Sequence, residues 1–72
     1  MQGLIDSVQK NDYLFQLFLH GDAQTGYWYE VCSVWMPGGK ATKRACLETG
    51  KAVPEKQKAE ADGKAAFARL SQ

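Results

Sequence analysis

Apolar positions recur along this chain with a period of two over three stretches and with helical spacing over two. From Tyr13 to His20, Tyr13, Phe15, Leu17 and Leu19 fall on one face and Leu14, Gln16, Phe18 and His20 on the other. That alternation predicts a strand. Neither face is fully polar, so the strand is expected to be central or covered on both sides. Gly21 to Gly26 is a polar loop with glycine at each end, the composition of a hairpin connection. Tyr27 to Met36 predicts a second strand, with Trp28, Glu30, Cys32, Val34 and Met36 opposed to Tyr27, Tyr29, Val31, Ser33 and Trp35. Ala41 to Glu48 predicts a third. Between the last two, Pro37-Gly38-Gly39-Lys40 is a strong hairpin signal.

The length of that turn sets the register, and the sequence leaves two registers open. A two-residue Gly38-Gly39 turn places Cys32 opposite Ala45, Val34 opposite Lys43, Trp35 opposite Thr42 and Ser33 opposite Arg44. The two cysteines then lie on opposite faces. The exposed set becomes Tyr27, Tyr29, Trp35, Thr42 and Arg44, with Trp28, Cys32, Val34, Ala45 and Leu47 inside. A three-residue turn, Gly38 to Lys40, sets Cys32 directly opposite Cys46 instead. One residue of slip exchanges the faces of a strand.

The ends of the chain complete the architecture. Leu4, Ile5 and Val8 stand at helical spacing, which reads as a short N-terminal helix or, since short helices are weak alone, as a mobile tail. Asn11-Asp12 is a turn signal. After a connection over Thr49 to Val53, Pro54 and Glu55 suit the start of a helix. Ala59, Gly63, Ala66, Phe67 and Leu70 form its apolar stripe, extended by Lys56. Gly63 in mid-helix costs about 1 kcal/mol against alanine, which points to close backbone approach. The expected fold is α+β: a single small domain over residues 1–72. It comprises an N-terminal segment over 1–11, a three-stranded antiparallel meander over 12–48 and a helix over 54–70 packed on one sheet face.

Composition narrows the function classes. With 44% hydrophobic and 24% charged residues, the chain has the balance of a soluble globular protein. No apolar run approaches the roughly 20 residues of a membrane span, and the N-terminus lacks the pattern of a secretory signal, so a cytoplasmic location is expected. Charge is unevenly distributed. Lys10 stands against Asp6, Asp12, Asp22 and Glu30 in residues 1–36, a net −3; eight cations stand against four carboxylates in residues 37–72, a net +4. A basic half suggests a polyanionic partner.

Chemistry-bearing residues are sparse. Two cysteines, Cys32 and Cys46, and a single histidine, His20, are too few for a four-ligand zinc site, and reduced structural cysteines are expected. The carboxylates show no paired spacing, and no phosphate-cradling glycine motif precedes a helix. A non-enzymatic chain with no cofactor and no metal is the expectation. The second strand carries Tyr27, Trp28, Tyr29 and Trp35, rings on both faces, while one helix covers a single face. Tyr27, Tyr29, Trp35, Lys40, Lys43 and Arg44 are therefore the candidate binding residues: rings to stack or fill pockets, cations to hold phosphate or carboxylate.

With Gly26-Tyr27-Trp28, Pro37-Gly38-Gly39-Lys40 and the later helix, residues 26–70 resemble in layout the three-stranded N-terminal DNA-binding domain of tyrosine recombinases. That resemblance implies a sheet face laid in the major groove. The C-terminal stretch, through Lys56, Ala66, Phe67 and Leu70, is similar to the last helix of double-stranded-RNA-binding domains. Glu55 and Ala59 stand where that family carries lysines. Both resemblances imply a nucleic-acid partner reached by the sheet face and the basic turn. The alternative partner is a host protein, bound through the aromatic face by a small inhibitor of the kind phages and mobile elements encode. A homodimer is compatible with either.

Overall fold

The computed structural model describes residues 2–72, with side chains from residue 3; Met1 lies outside the described residues. The element order is β1 (Gln2–Lys10), β2 (Tyr13–Asp22), β3 (Gly26–Trp35), β4 (Lys43–Thr49) and α1 (Lys56–Leu70). The strands form one antiparallel meander in the order β1-β2-β3-β4. The fold is thus α+β with a C-terminal helix, but the sheet has four strands where three were expected.

The extra strand is the N-terminal segment, which is neither helix nor tail. Asn11 and Asp12 close a two-residue loop, with Asn11 at φ 57°. Lys10 then pairs with Tyr13, and the ladder runs on to Gln2 opposite His20. A register shift between Leu4 and Asp6 explains the misleading spacing. A bulge inserts one residue, so side chains three apart reach the same face. Ile5 and Val8 both pack on the core in this way, mimicking a helical turn.

The core lies between α1 and the odd-numbered face of β2 and β3. Leu17 and Val31 face each other across the strands, fully buried, beneath Ala66 and Phe67. Ile5, Val8, Phe15, Tyr29 and Leu70 close around them. Ala59, Gly63, Ala66 and Phe67 of the expected helix stripe are buried and Leu70 is half-buried, whereas Lys56, expected to extend it, is exposed at the first turn. The expected close approach at Gly63 is present. A Cβ there would lie 2.8 Å from Tyr29 Cβ and 3.1 Å from Leu17 Cδ1. The helix begins two residues later than expected, with Glu55 as its extended N-cap and Pro54 just before it.

The β3–β4 connection is longer than a tight turn. Pro37–Gly39 forms a short 3-10 turn with Gly38 and Gly39 at φ 66° and 85°, and Thr42 N–H donates to Trp35 O at 2.8 Å. β4 therefore starts at Lys43, not Ala41. Cys32 pairs with Cys46, Val34 with Arg44 and Trp35 with Lys43. Of the two registers left open, this is the one that sets the cysteines opposite each other. A second bulge follows at Leu47, so Val31 pairs with Glu48 and Glu30 with Thr49. None of the described helices is long and apolar enough to cross a membrane.

Candidate functional site

The helix covers one sheet face and leaves the other open. Strand alternation assigns to the open face Leu14, Gln16, Phe18 and His20 of β2, Trp28, Glu30, Cys32 and Val34 of β3, and Arg44 and Cys46 of β4. At its centre the rings form a row. Phe18 and His20, two apart on one strand, lie 6.2 Å between centroids at 24°, and His20 meets its cross-strand partner Trp28 at 5.7 Å and 24°. The three rings are near-parallel to one another and half-buried. The Arg44 guanidinium sits over Phe18, 5.1 Å from the ring centroid, a cation–π arrangement.

Beside the rings lies a polar cluster. His20 Nε2–H donates to Glu30 Oε1 at 2.9 Å, and Cys46 Sγ–H donates to Glu30 Oε2 at 3.1 Å. Arg44 reaches Cys32 Sγ at 3.5 Å, and Cys46 Sγ lies 3.4 Å from Thr49 Oγ1. The bulge at Leu47 makes this possible. It turns Thr49 rather than Glu48 toward the open face, while Glu48 stays on the helix side. There Glu48 accepts from Tyr29 Oη at 2.5 Å and from Arg69 at 2.9 Å and 3.0 Å.

The cluster shifts its own ionisations. Donation from Cys46, then from His20, holds the Glu30 carboxyl below its ordinary range. Burial pushes the Cys32 thiol up, against the opposing hydrogen bond from Arg44. Glu30 is thus held as an acceptor, and Cys32 as a neutral thiol beside a cation. Both cysteines are free, Cys32 buried and Cys46 exposed. Glu30, Cys32 and Cys46 each bring one potential ligand atom into a group spanning 4.8 Å.

The candidate residues from the sequence do not share one face. Tyr27, Tyr29, Trp35 and Lys43 lie on the helix side, Arg44 on the open side, and Lys40 in the exposed loop. Tyr29 is a packing residue: its ring lies against Gly50 and its Cβ beneath Gly63. Tyr27 is half-buried where Val53 pairs with it. Trp35, although on the helix side, is 42% exposed, next to Tyr13 at 46%. The reason is length. Ten residues of strand extend about 33 Å, and the 15 residues of α1 about 22 Å. The sheet therefore outruns the helix at its Tyr13–Trp35 end.

The expected grouping of Tyr27, Tyr29, Trp35, Thr42 and Arg44 as one exposed set is accordingly overturned, as is the placing of Trp28, Cys32 and Val34 under the helix. The ring beside Arg44 is Phe18, at one end of a row that continues through His20 to Trp28, none of them among the expected binding residues. A usable signal was present. The odd-numbered positions Leu17, Leu19 and Val31 are purely aliphatic, whereas the even-numbered positions include Gln16, His20 and Glu30. The face with polar groups is the one left without a helix. No family model matches the chain, and neither a curated protein nor a solved structure is significantly similar to it.

Proposed function

We propose that this chain is a small, non-enzymatic, cytoplasmic nucleic-acid-binding domain that takes single-stranded nucleic acid on its open sheet face. The observation that carries this reading is the Phe18–His20–Trp28 row flanked by Arg44 on a face no element covers. Flat rings stack on unpaired bases whatever the sequence, for about 1–3 kcal/mol per base. Arg44 on the open face, with Lys40 in the exposed loop before the same strand, supplies cations for phosphates. The paired Glu30 gives the row an acceptor that a base edge can meet.

Titration of labelled single-stranded DNA, single-stranded RNA and duplex DNA, at two salt concentrations, tests the proposal. Single strands bind, binding weakens with salt, and tryptophan fluorescence is quenched by stacking. Arg44→Ala weakens binding about tenfold or more, in line with loss of a stacked, charge-assisted contact. Trp35→Ala, on the other side of the sheet, leaves it unchanged. Absence of binding at low salt, or duplex bound as well as single strands, overturns this reading.

One observation favours a second reading. Tyr13 and Trp35 project beyond the helix end with Lys43 beside them, lining a shallow groove with Ser33 and Ala45. That is the composition of a protein-docking anchor, of the kind a small inhibitor presents to a host protein. The net charge of only +1 gives little long-range attraction to nucleic acid. Under this reading Trp35→Ala abolishes capture of the partner and Arg44→Ala does not.

A further inference from the structure

The geometry points to Glu30, Cys32 and Cys46 as a binding site for a borderline-soft divalent metal ion of the zinc class. The set was invisible in sequence because the third donor is not a cysteine or histidine. Register brings it together: Cys32 and Cys46 pair across β3 and β4, and Glu30 lies two residues from Cys32 on the same face. Two thiols and a carboxylate form a donor set suited to zinc; magnesium and calcium prefer all-oxygen sets.

The distances require little adjustment. The three ligand atoms lie within 4.8 Å of one another, and Cys46 Sγ and Glu30 Oε2 are already 3.1 Å apart. A tetrahedron with metal–sulfur bonds of about 2.3 Å and metal–oxygen bonds of about 2.1 Å has edges of about 3.5–3.8 Å. The Cys46–Glu30 pair must open slightly from 3.1 Å and no pair need close from more than 4.8 Å, a small adjustment in which the exposed Cys46 side chain is free to take part. Cys32 and Glu30 sit on a central strand, so two of the three donors are held by ladders on both sides.

The surroundings are those of a prepared site. His20 holds Glu30 Oε1 and leaves Oε2 directed at Cys46. Thr49 Oγ1 lies against Cys46 Sγ. Neighbours of this kind orient ligands and are worth about 10–100-fold in metal affinity. Two thiolates and a carboxylate around a divalent ion leave one negative charge, and Arg44, 3.5 Å from Cys32 Sγ, offsets it. On binding, each cysteine S–H loses its proton to solvent and each sulfur gives a lone pair to the metal. Glu30 gives an oxygen lone pair with no proton lost, since it is already ionised. The fourth position faces solvent on the open side and takes a water molecule. Oxidation to a Cys32–Cys46 disulfide would remove both sulfur ligands, so the site belongs to the reduced protein.

The test is titration of the reduced full chain with Co2+ alone, without nucleic acid, followed by displacement with Zn2+. The expected result is one ion per chain, with a near-ultraviolet thiolate-to-cobalt charge-transfer band and visible bands of four-coordinate cobalt. Cys46→Ser and Glu30→Gln, both at accessible positions and checked for fold by circular dichroism, each weaken binding by at least about tenfold. Absence of the charge-transfer band overturns the site. So does saturation at one ion per two chains, which would mean thiols shared between copies. Binding undiminished in either variant overturns it as well. Because oligonucleotide is absent, a negative result leaves the nucleic-acid proposal standing, and the reverse holds equally.

Discussion

Gly63 is where a single residue decides how the two layers meet. It lies at the centre of the α1 stripe, and a Cβ there would come within 2.8 Å of Tyr29 Cβ and 3.1 Å of Leu17 Cδ1. Gly63→Ala gains about 1 kcal/mol of helix propensity. It must also push α1 away from a fully buried leucine and from a Cβ that cannot rotate aside, at a cost of about 1–3 kcal/mol. The net outcome is destabilisation, read as a lower urea midpoint with an unchanged slope. Ala61→Gly, on the exposed face of the same helix, isolates the propensity component. A Gly63→Ala protein more stable than wild type would refute the close-packing reading. The sequence showed the costly glycine, but its partners, Tyr29 and Leu17, are 34 and 46 positions away in numbering and come together only through strand pairing.

At the scale of elements, β1 depends on its connection to β2. Asn11 adopts φ 57°, a conformation in which asparagine and glycine are tolerated and other residues are strained. Asn11→Ala is expected to cost about 1–2 kcal/mol, and Asn11→Gly to leave stability nearly unchanged. Thermal unfolding of the two variants checks this; equal melting temperatures would show that the turn contributes nothing. In a chain this small, where total stability is marginal, such a loss is a large fraction of the whole. The two bulges do comparable work. One lets Ile5 and Val8 both reach the core; the other sorts Glu48 to the helix side and Thr49 to the open side. Bulges have no reliable sequence mark, because each is a compromise between facing preferences on both sides of a residue. That is why residues 2–10 read as helical and β4 as a plain alternation.

The whole molecule is two layers, one helix thick on one side and open on the other, with principal extents of 41 × 21 × 15 Å. Carboxylates on both sides couple its stability to pH. Asp22 is held below its ordinary range, first by the Thr25 backbone N–H, Glu30 first by Cys46, and Glu48 first by the Tyr29 hydroxyl. A carboxyl with a lowered folded pKa takes up its proton more readily in the unfolded chain. The stability it provides is therefore complete above the ordinary carboxylate pKa of about 4 and is lost as pH falls through the folded values. Urea midpoints measured from about pH 7 to about pH 3 should decline in that acid window. Glu30→Gln should make the decline shallower; an unchanged slope would show that the Glu30 cluster is not coupled to folding. At the alkaline end the sign reverses. Hydrogen bonding to Glu48, then burial, raises the Tyr29 phenol. The neutral form is the one the fold holds, and its contribution is lost as pH rises past about 10.

Within a single element, the order of residues is enough to say which of them share a face. Alternation placed Leu17 with Leu19, Trp28 with Cys32, and Ala59 with Gly63, Ala66 and Phe67, because side-chain direction follows from backbone geometry alone. The helix stripe and the cost of Gly63 were readable for the same reason. The polar even-numbered positions hint at which face the helix spares, but that choice, and how β3 and β4 register, is settled only in the assembled sheet. Covering the odd-numbered face buries Leu17 and Val31 and spares His20 and Glu30 from burial without water. That comparison of two burial costs exists only when all the strands are assembled. The register depended on a loop of Pro37, Gly38 and Gly39 that extends to Thr42 before pairing resumes. Two glycines at positive φ can close a turn of several lengths, and only the closed sheet selects one. That selection sets Cys46 opposite Cys32, beside Glu30, and so creates the cluster from residues that are scattered along the chain.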